Sequence, residues 1–151
     1  MKYMWPRCWR SSSAASLSGA RDSRMPVVPQ TNSVGFREIP GKGRGVVALR
    51  GFAPGEAVEV VPAIIIPKKD LPVPLSGTVF DRYLLYWSDE PGREFAIAGG
   101  LLMLYNHSAR PNVKLKDGPY PNTFLVEALR QIDPGEELTF DYNCELGFQP
   151  I

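Results

Sequence analysis

Three short runs concentrate the side chains that could do chemistry. Asn106-His107-Ser108-Ala109-Arg110-Pro111-Asn112 contains the chain's one histidine. Its two asparagines and its serine make a dense set of hydrogen-bond donors and acceptors. No Gly-x-Ser-x-Gly elbow accompanies it, so a nucleophilic triad is not indicated. On residue types alone the run is either a ligand-binding loop or a loop stitched together by local Asn and Ser hydrogen bonds. Gly41-Lys42-Gly43-Arg44-Gly45 places glycine at alternate positions, which suits a tight turn or a close backbone approach to a nucleotide-like ligand. It is not a dinucleotide fingerprint, because the spacing differs and a strand rather than a helix follows. Gly135-Glu136-Glu137-Leu138-Thr139-Phe140-Asp141-Tyr142-Asn143 leads an acidic turn into a strand that ends in an aromatic-acid-aromatic triplet. By itself, Tyr142 there reads as a core ring with its hydroxyl at the rim.

The elements that must position these runs are short strands. The chain has 14 Gly and 15 Pro, a density that interrupts long helices and favours turns. β-branched and alternating runs predict strands at Gly45–Leu49, Ala57–Val61, Ala63–Ile66, Phe95–Ala98, Asn112–Lys116, Thr123–Leu129 and Glu137–Phe140. Leu101–Asn106 is expected to form at most a helical turn, and no sustained 3.6-residue periodicity or solenoid repeat occurs. The expected fold class is mostly β with minor α, in one domain, with the polar clusters on loops.

Composition narrows the function classes. The chain has 151 residues, of which 44% are hydrophobic, and a net charge of +1. That is enough to bury one core, and it gives no global field pointing to nucleic acid or membrane. Residues 1–24 carry five Lys and Arg against one acid, a net of +4, which leaves −3 on residues 25–151. A mildly acidic folded part suits a basic peptide but also describes many ordinary surfaces. Two cysteines, Cys8 and Cys144, make no disulfide framework and, with one histidine, no standard zinc site. No apolar run is long enough for a membrane-spanning helix. Residues 1–32 are set apart as a tail, leaving 33–151 as the single domain. The tail lacks an apolar signal core, and two readings stay open: an organellar leader, or translation starting at Met25.

Taken together and in order, the three runs resemble the SET-domain family of protein-lysine methyltransferases, specifically its short, stand-alone members. The resemblance extends from about Val34 to Asn143. Gly43-Arg44-Gly45 is similar to the family's first cofactor motif, Asn106-His107-Ser108 with Pro111-Asn112 to its Asn-His-Ser-x-x-Pro-Asn motif, and Glu136 through Tyr142 to its last motif. The resemblance implies small twisted sheets with a knot-like crossing at the active site. It implies S-adenosyl-L-methionine as cofactor, held by Lys42, Gly43, Arg44, Asn106 and His107, with Asn106 on its amino-acid part and the His107 backbone on the adenine edge. The imidazole of His107 is then structural.

Tyr142 corresponds to the family's essential tyrosine. Phe140, two residues earlier, lacks the hydroxyl that in relatives bearing Tyr there restricts the product to monomethyl-lysine. Phe140, Tyr86 and Phe148 are the expected lining of the lysine channel, with Tyr83 and Trp87 beside Tyr86, although by residue type Tyr83, Tyr86 and Trp87 read first as strand core. Departures from the family pattern are Met103 where many members have Arg, Ala109 where many have Cys, and the lack of a zinc-binding cysteine cluster after the domain. Channel closure then falls to Phe148 and its neighbours or to a second subunit, so a dimer is one option. The expected partner is a lysine-containing protein or peptide, with no direct nucleic-acid or membrane contact, in an intracellular, cytoplasmic setting (nuclear in a eukaryote). An inactive SET-like module that binds cofactor or peptide is the alternative; retention of Tyr142, Asn106 and the glycine loop weighs against it.

Overall fold

A computed structural model describes residues 32–75, 77–87 and 94–142. Among the described residues nine strands form two sheets. The first has the order β1-β2-β9-β6, built from β1 (Val34–Ile39), β2 (Gly43–Ala48), β9 (Glu137–Phe140) and β6 (Asn106–His107). The second has the order β4-β5-β3-β8-β7, built from β4 (Leu85–Tyr86), β5 (Glu94–Ala98), β3 (Ala57–Pro67), β8 (Thr123–Ala128) and β7 (Val113–Asp117). Helix among the described residues is confined to α1 (Phe80–Tyr83) and two 3-10 turns, Lys68–Asp70 and Leu102–Leu104. The mostly-β expectation with minor helix describes this architecture.

Most predicted strands occur within a residue or two of their expected ends. Alternation explains β8, where Phe124, Val126 and Ala128 point into the core. The two runs expected at 57–61 and 63–66 are one strand. Ala57 to Pro62 of β3 pair with β8, whereas Ala63 to Pro67 pair with β5. Pro62 has no N–H to give a ladder, and it sits where the strand changes partner, so the proline is accommodated without ending β3. The helical turn expected at 101–106 stops at Leu104, and Asn106 is already extended.

Three strands, β1, β4 and β6, have no counterpart among the predicted strands, and the two-residue β4 exists through its pairing with β5. β1 is an edge strand with three consecutive exposed residues, and its form comes from pairing along its whole length with β2. β6 is two residues long and exists through its parallel pairing with β9. The core lies between the sheets, with Val46, Phe52, Val61, Leu102, Tyr105 and Leu138 each at most 1% exposed.

Candidate active site

The first and third of the chemical runs meet on β9. Asn106 pairs with Thr139 and His107 with Phe140, in parallel. The chain then continues beside the same strand: the Ser108 N–H donates to the Phe140 carbonyl at 3.2 Å and the Asn112 N–H to the Thr139 carbonyl at 3.1 Å. Asn112 is 2% exposed. Its amide nitrogen donates to Glu136 Oε1 at 2.9 Å and to the Glu137 carbonyl at 2.7 Å, and its oxygen accepts the Thr139 N–H at 2.8 Å. Every polar atom of this buried amide is therefore used to bind the 106–112 segment to β9. Arg130 in turn hydrogen-bonds the Glu136 carboxylate and holds it below the usual carboxylate range.

The glycine-rich run joins this seam from the other side. It is the turn and first residues of the β1–β2 hairpin, with Gly41 and Gly43 at φ 78° and 80°. Asn106 Nδ2 donates to the Arg44 carbonyl at 3.3 Å and to Glu137 Oε1 at 2.8 Å. The other oxygen of Glu137 takes Lys42 Nζ at 3.1 Å. Gly45 makes this approach sterically feasible, because a Cβ there would lie 2.7 Å from Asn106 Nδ2 and 2.9 Å from Glu137 Oε1. Glu137, which the sequence reading left without a role, is thus the carboxylate that bridges Lys42 and Asn106. Its position at the head of the last strand was the available signal, but its partners lie 31 and 95 residues away.

At the end of β9, Tyr142 turns back over the seam. Its hydroxyl donates to the Tyr105 carbonyl at 2.7 Å, and its N–H donates to His107 Nδ1 at 3.2 Å. A ring nitrogen that accepts an N–H carries no proton there, so the His107 proton belongs on Nε2. The half-exposed Asp141 carboxylate lies 3.5 Å from the same Nδ1. The His107 ring meets Tyr142 edge-on at 5.4 Å, and Phe140 lies 5.0 Å from Tyr142 and 6.3 Å from Tyr105. Phe140 is 8% exposed, so it is an apolar neighbour of the Tyr142 ring.

Lys42, Gly43, Arg44, Asn106, His107, Phe140 and Tyr142 therefore occupy one continuous region. Tyr86 lies in the five-stranded sheet, its ring 5.1 Å from Phe95. Trp87 meets Phe124 edge-on at 5.2 Å, and Tyr83 ends α1, partly exposed. Phe148, Asn143 and Cys144 lie outside the described residues. Among the described residues no group of three His, Cys, Asp or Glu side chains is arranged to hold a metal ion. No helix among them is long and apolar enough to cross a membrane.

The sequence model of the SET domain family matches residues 43–143, a span running from the glycine-rich hairpin through Tyr142. The chain is 31% identical over 126 residues to the histone-lysine N-methyltransferase, H3 lysine-37 specific, of Schizosaccharomyces pombe, a match that covers 83% of this chain and 82% of that protein. Its fold is similar to that of a candidate histone methyltransferase from Plasmodium falciparum, with a TM-score of 0.59 and 24% identity over 74% of this chain and 94% of the other.

Proposed function

Because the chain belongs to the SET domain family and is a protein-lysine methyltransferase, we propose that it takes its methyl group from S-adenosylmethionine and that Tyr142 orients the transfer. The observation that carries this reading is the Tyr142 hydroxyl bound at 2.7 Å to the Tyr105 carbonyl, one residue before Asn106.

The side chains around Asn106 suit both ends of an amino-acid zwitterion. Binding would exchange the Lys42–Glu137 pair and the Asn106 amide contacts for the ligand: Lys42 and Arg44 then offer cations to a carboxylate, Glu137 a carboxylate to an ammonium, and Asn106 an amide that can serve either. The glycine hairpin and the His107 backbone flank them and would take the nucleoside part. When bound, S-adenosylmethionine supplies an electrophilic methyl carbon on a sulfonium whose positive charge disappears on transfer.

The protein's part is alignment. A hydroxyl has one proton, and that of Tyr142 is given to the Tyr105 carbonyl, so its oxygen faces the substrate as an acceptor. It can take an amine N–H and turn the nitrogen lone pair along the line of attack. The lysine must arrive neutral, although its unperturbed pKa is about 10.4; the apolar Phe140 ring beside the Tyr142 ring disfavours the ammonium by desolvation. His107 fixes the Tyr142 backbone through Nδ1 and is assigned no proton-transfer role. Proton loss to water before transfer requires the rate to climb steeply on the alkaline side, and a flat profile would rule it out. Phe140 leaves room for an already methylated amine, so di- and trimethyl products follow.

The named activity of the fission-yeast relative makes a histone H3 tail the first substrate to assay, and the acidic balance of residues 25–151 is compatible with a cationic peptide. The test is calorimetric binding of S-adenosylmethionine to the protein and to its Tyr142→Phe and Asn106→Ala variants, followed by peptide methylation. Binding kept in Tyr142→Phe and lost in Asn106→Ala supports the assignment. No binding by the unaltered protein would return the domain to a SET-like scaffold without turnover.

A further inference from the structure

Behind the proposed site lies a buried polar pair that the reaction does not consume. Tyr105 is 1% exposed, and its hydroxyl faces the carboxylate of Glu59 on β3. Among the described residues neither Tyr105 Oη nor Glu59 Oε1 has a hydrogen-bond partner. The other Glu59 oxygen points toward the turn that leads into the 102–104 segment, where a Cβ on Gly100 would lie 3.7 Å from it. Burial pushes both groups upward, the carboxyl above the usual carboxylate range and the phenol well above its own.

An apolar pair at these positions would fill the core without leaving polar atoms unsatisfied, so the arrangement costs the fold stability. Its location suggests what offsets that cost. The side chain of Tyr105 faces Glu59, its carbonyl receives the Tyr142 hydroxyl, and its C-terminal neighbour is Asn106. Rotation of the 105–106 peptide would move the tyrosine hydroxyl and the asparagine amide together.

We propose that Glu59 and Tyr105 form a buried buttress that fixes the Tyr105 peptide and thereby sets the direction of the Tyr142 hydroxyl. Glu59 is a positioning residue: it reaches the reacting groups only through Tyr105. This inference rests on the methyltransferase reading for its catalytic consequence but not for its structural one.

The test uses the full chain with 13C at the tyrosine Cζ positions, and Glu59→Gln, Tyr105→Phe and double variants. The Tyr142 resonance is assigned by its loss in Tyr142→Phe. Each single substitution preserves side-chain volume. Each is expected to shift the Tyr142 resonance and to lower kcat by about ten- to a hundredfold, with the KM for S-adenosylmethionine raised as well, because Asn106 turns with the same peptide. The double variant should fall no further than the worse single, as for two residues acting in one contact. An unmoved Tyr142 resonance in both single variants overturns the proposal whatever happens to activity. A resonance that moves in a protein whose unaltered form methylates no peptide leaves the buttress standing and refutes the methyltransferase reading instead.

Discussion

Asn112 and Thr139 hold each other twice: the Asn112 side-chain oxygen takes the Thr139 N–H at 2.8 Å, and the Thr139 carbonyl takes the Asn112 N–H at 3.1 Å. The first bond depends on the side chain, so it can be removed alone. Asn112→Ala leaves the buried Thr139 N–H and one lone pair of the Glu137 carbonyl without their partner, and it should lower unfolding free energy by about 3 kcal/mol. Urea denaturation checks this; a loss below about 1 kcal/mol would mean that water takes over the amide's bonds.

Gly45 and Gly43 should behave differently when replaced by alanine. At Gly45 the new Cβ would collide with Ile39 at 2.6 Å and with Asn106 at 2.7 Å, so Asn106 must move. S-adenosylmethionine binding should weaken at least tenfold, measured by calorimetry. At Gly43 the space is open but φ is +80°, so the cost is backbone strain of about 1 kcal/mol. That loss should appear in thermal stability, with binding weakened less than by Gly45→Ala.

Phe140→Tyr adds a hydroxyl next to Tyr142, whose ring lies 5.0 Å away. The expected outcome is a product distribution shifted toward monomethyl-lysine, with the first methyl transfer retained. Mass spectrometry of an exhaustively treated peptide reads this directly. An unchanged distribution would show that Phe140 does not set multiplicity.

Two carboxylates should tilt stability in opposite directions with pH. Glu136 is held below its ordinary value of 4.5, chiefly by Arg130. Its contribution is therefore present above that value and lost as pH falls through the lower folded one. Glu59 is held above 4.5 by burial. Its contribution is complete below 4.5 and lost as pH rises through the raised value. Melting temperature against pH should lose part of its acid limb in Glu136→Gln and part of its decline above 4.5 in Glu59→Gln. Identical profiles for all three proteins would refute both assignments.

How much of this was legible in the sequence depended on how local the cause was. Thr123–Ala128 announces itself by alternation, and the polar runs at 106–112 and 136–142 stand out by residue type. Pairings made far along the chain left no local trace. Nothing in Asn106-His107 says strand, because the strand is conferred by Thr139 and Phe140. Glu137 reads as one more acid in an acidic turn until Lys42 and Asn106 arrive on its two oxygens. Tyr105 reads as part of a helical turn, whereas its carbonyl direction and its buried hydroxyl follow from the packing of β3 against the 99–105 segment. Pro62 and Pro67 suggested that two strands end where the structure has one, because a change of ladder partner cannot be read from a single strand.

The place of β9 between β2 and β6 also dictates an order of assembly. β2 is made early, and its partner strand emerges far later: Lys42 and Glu137 are 95 residues apart. Until then the flank of β2 that will take Leu138 offers unpaired backbone groups and the apolar Val46 and Val47, which is the kind of open edge that recruits strands from other molecules. Closing so long a loop is slow. A nascent chain therefore carries an adhesive strand throughout most of its synthesis, and the cell must shield it until β9 arrives. Substitutions that delay β9 should accordingly be seen first as lost soluble yield and only afterwards as lost activity.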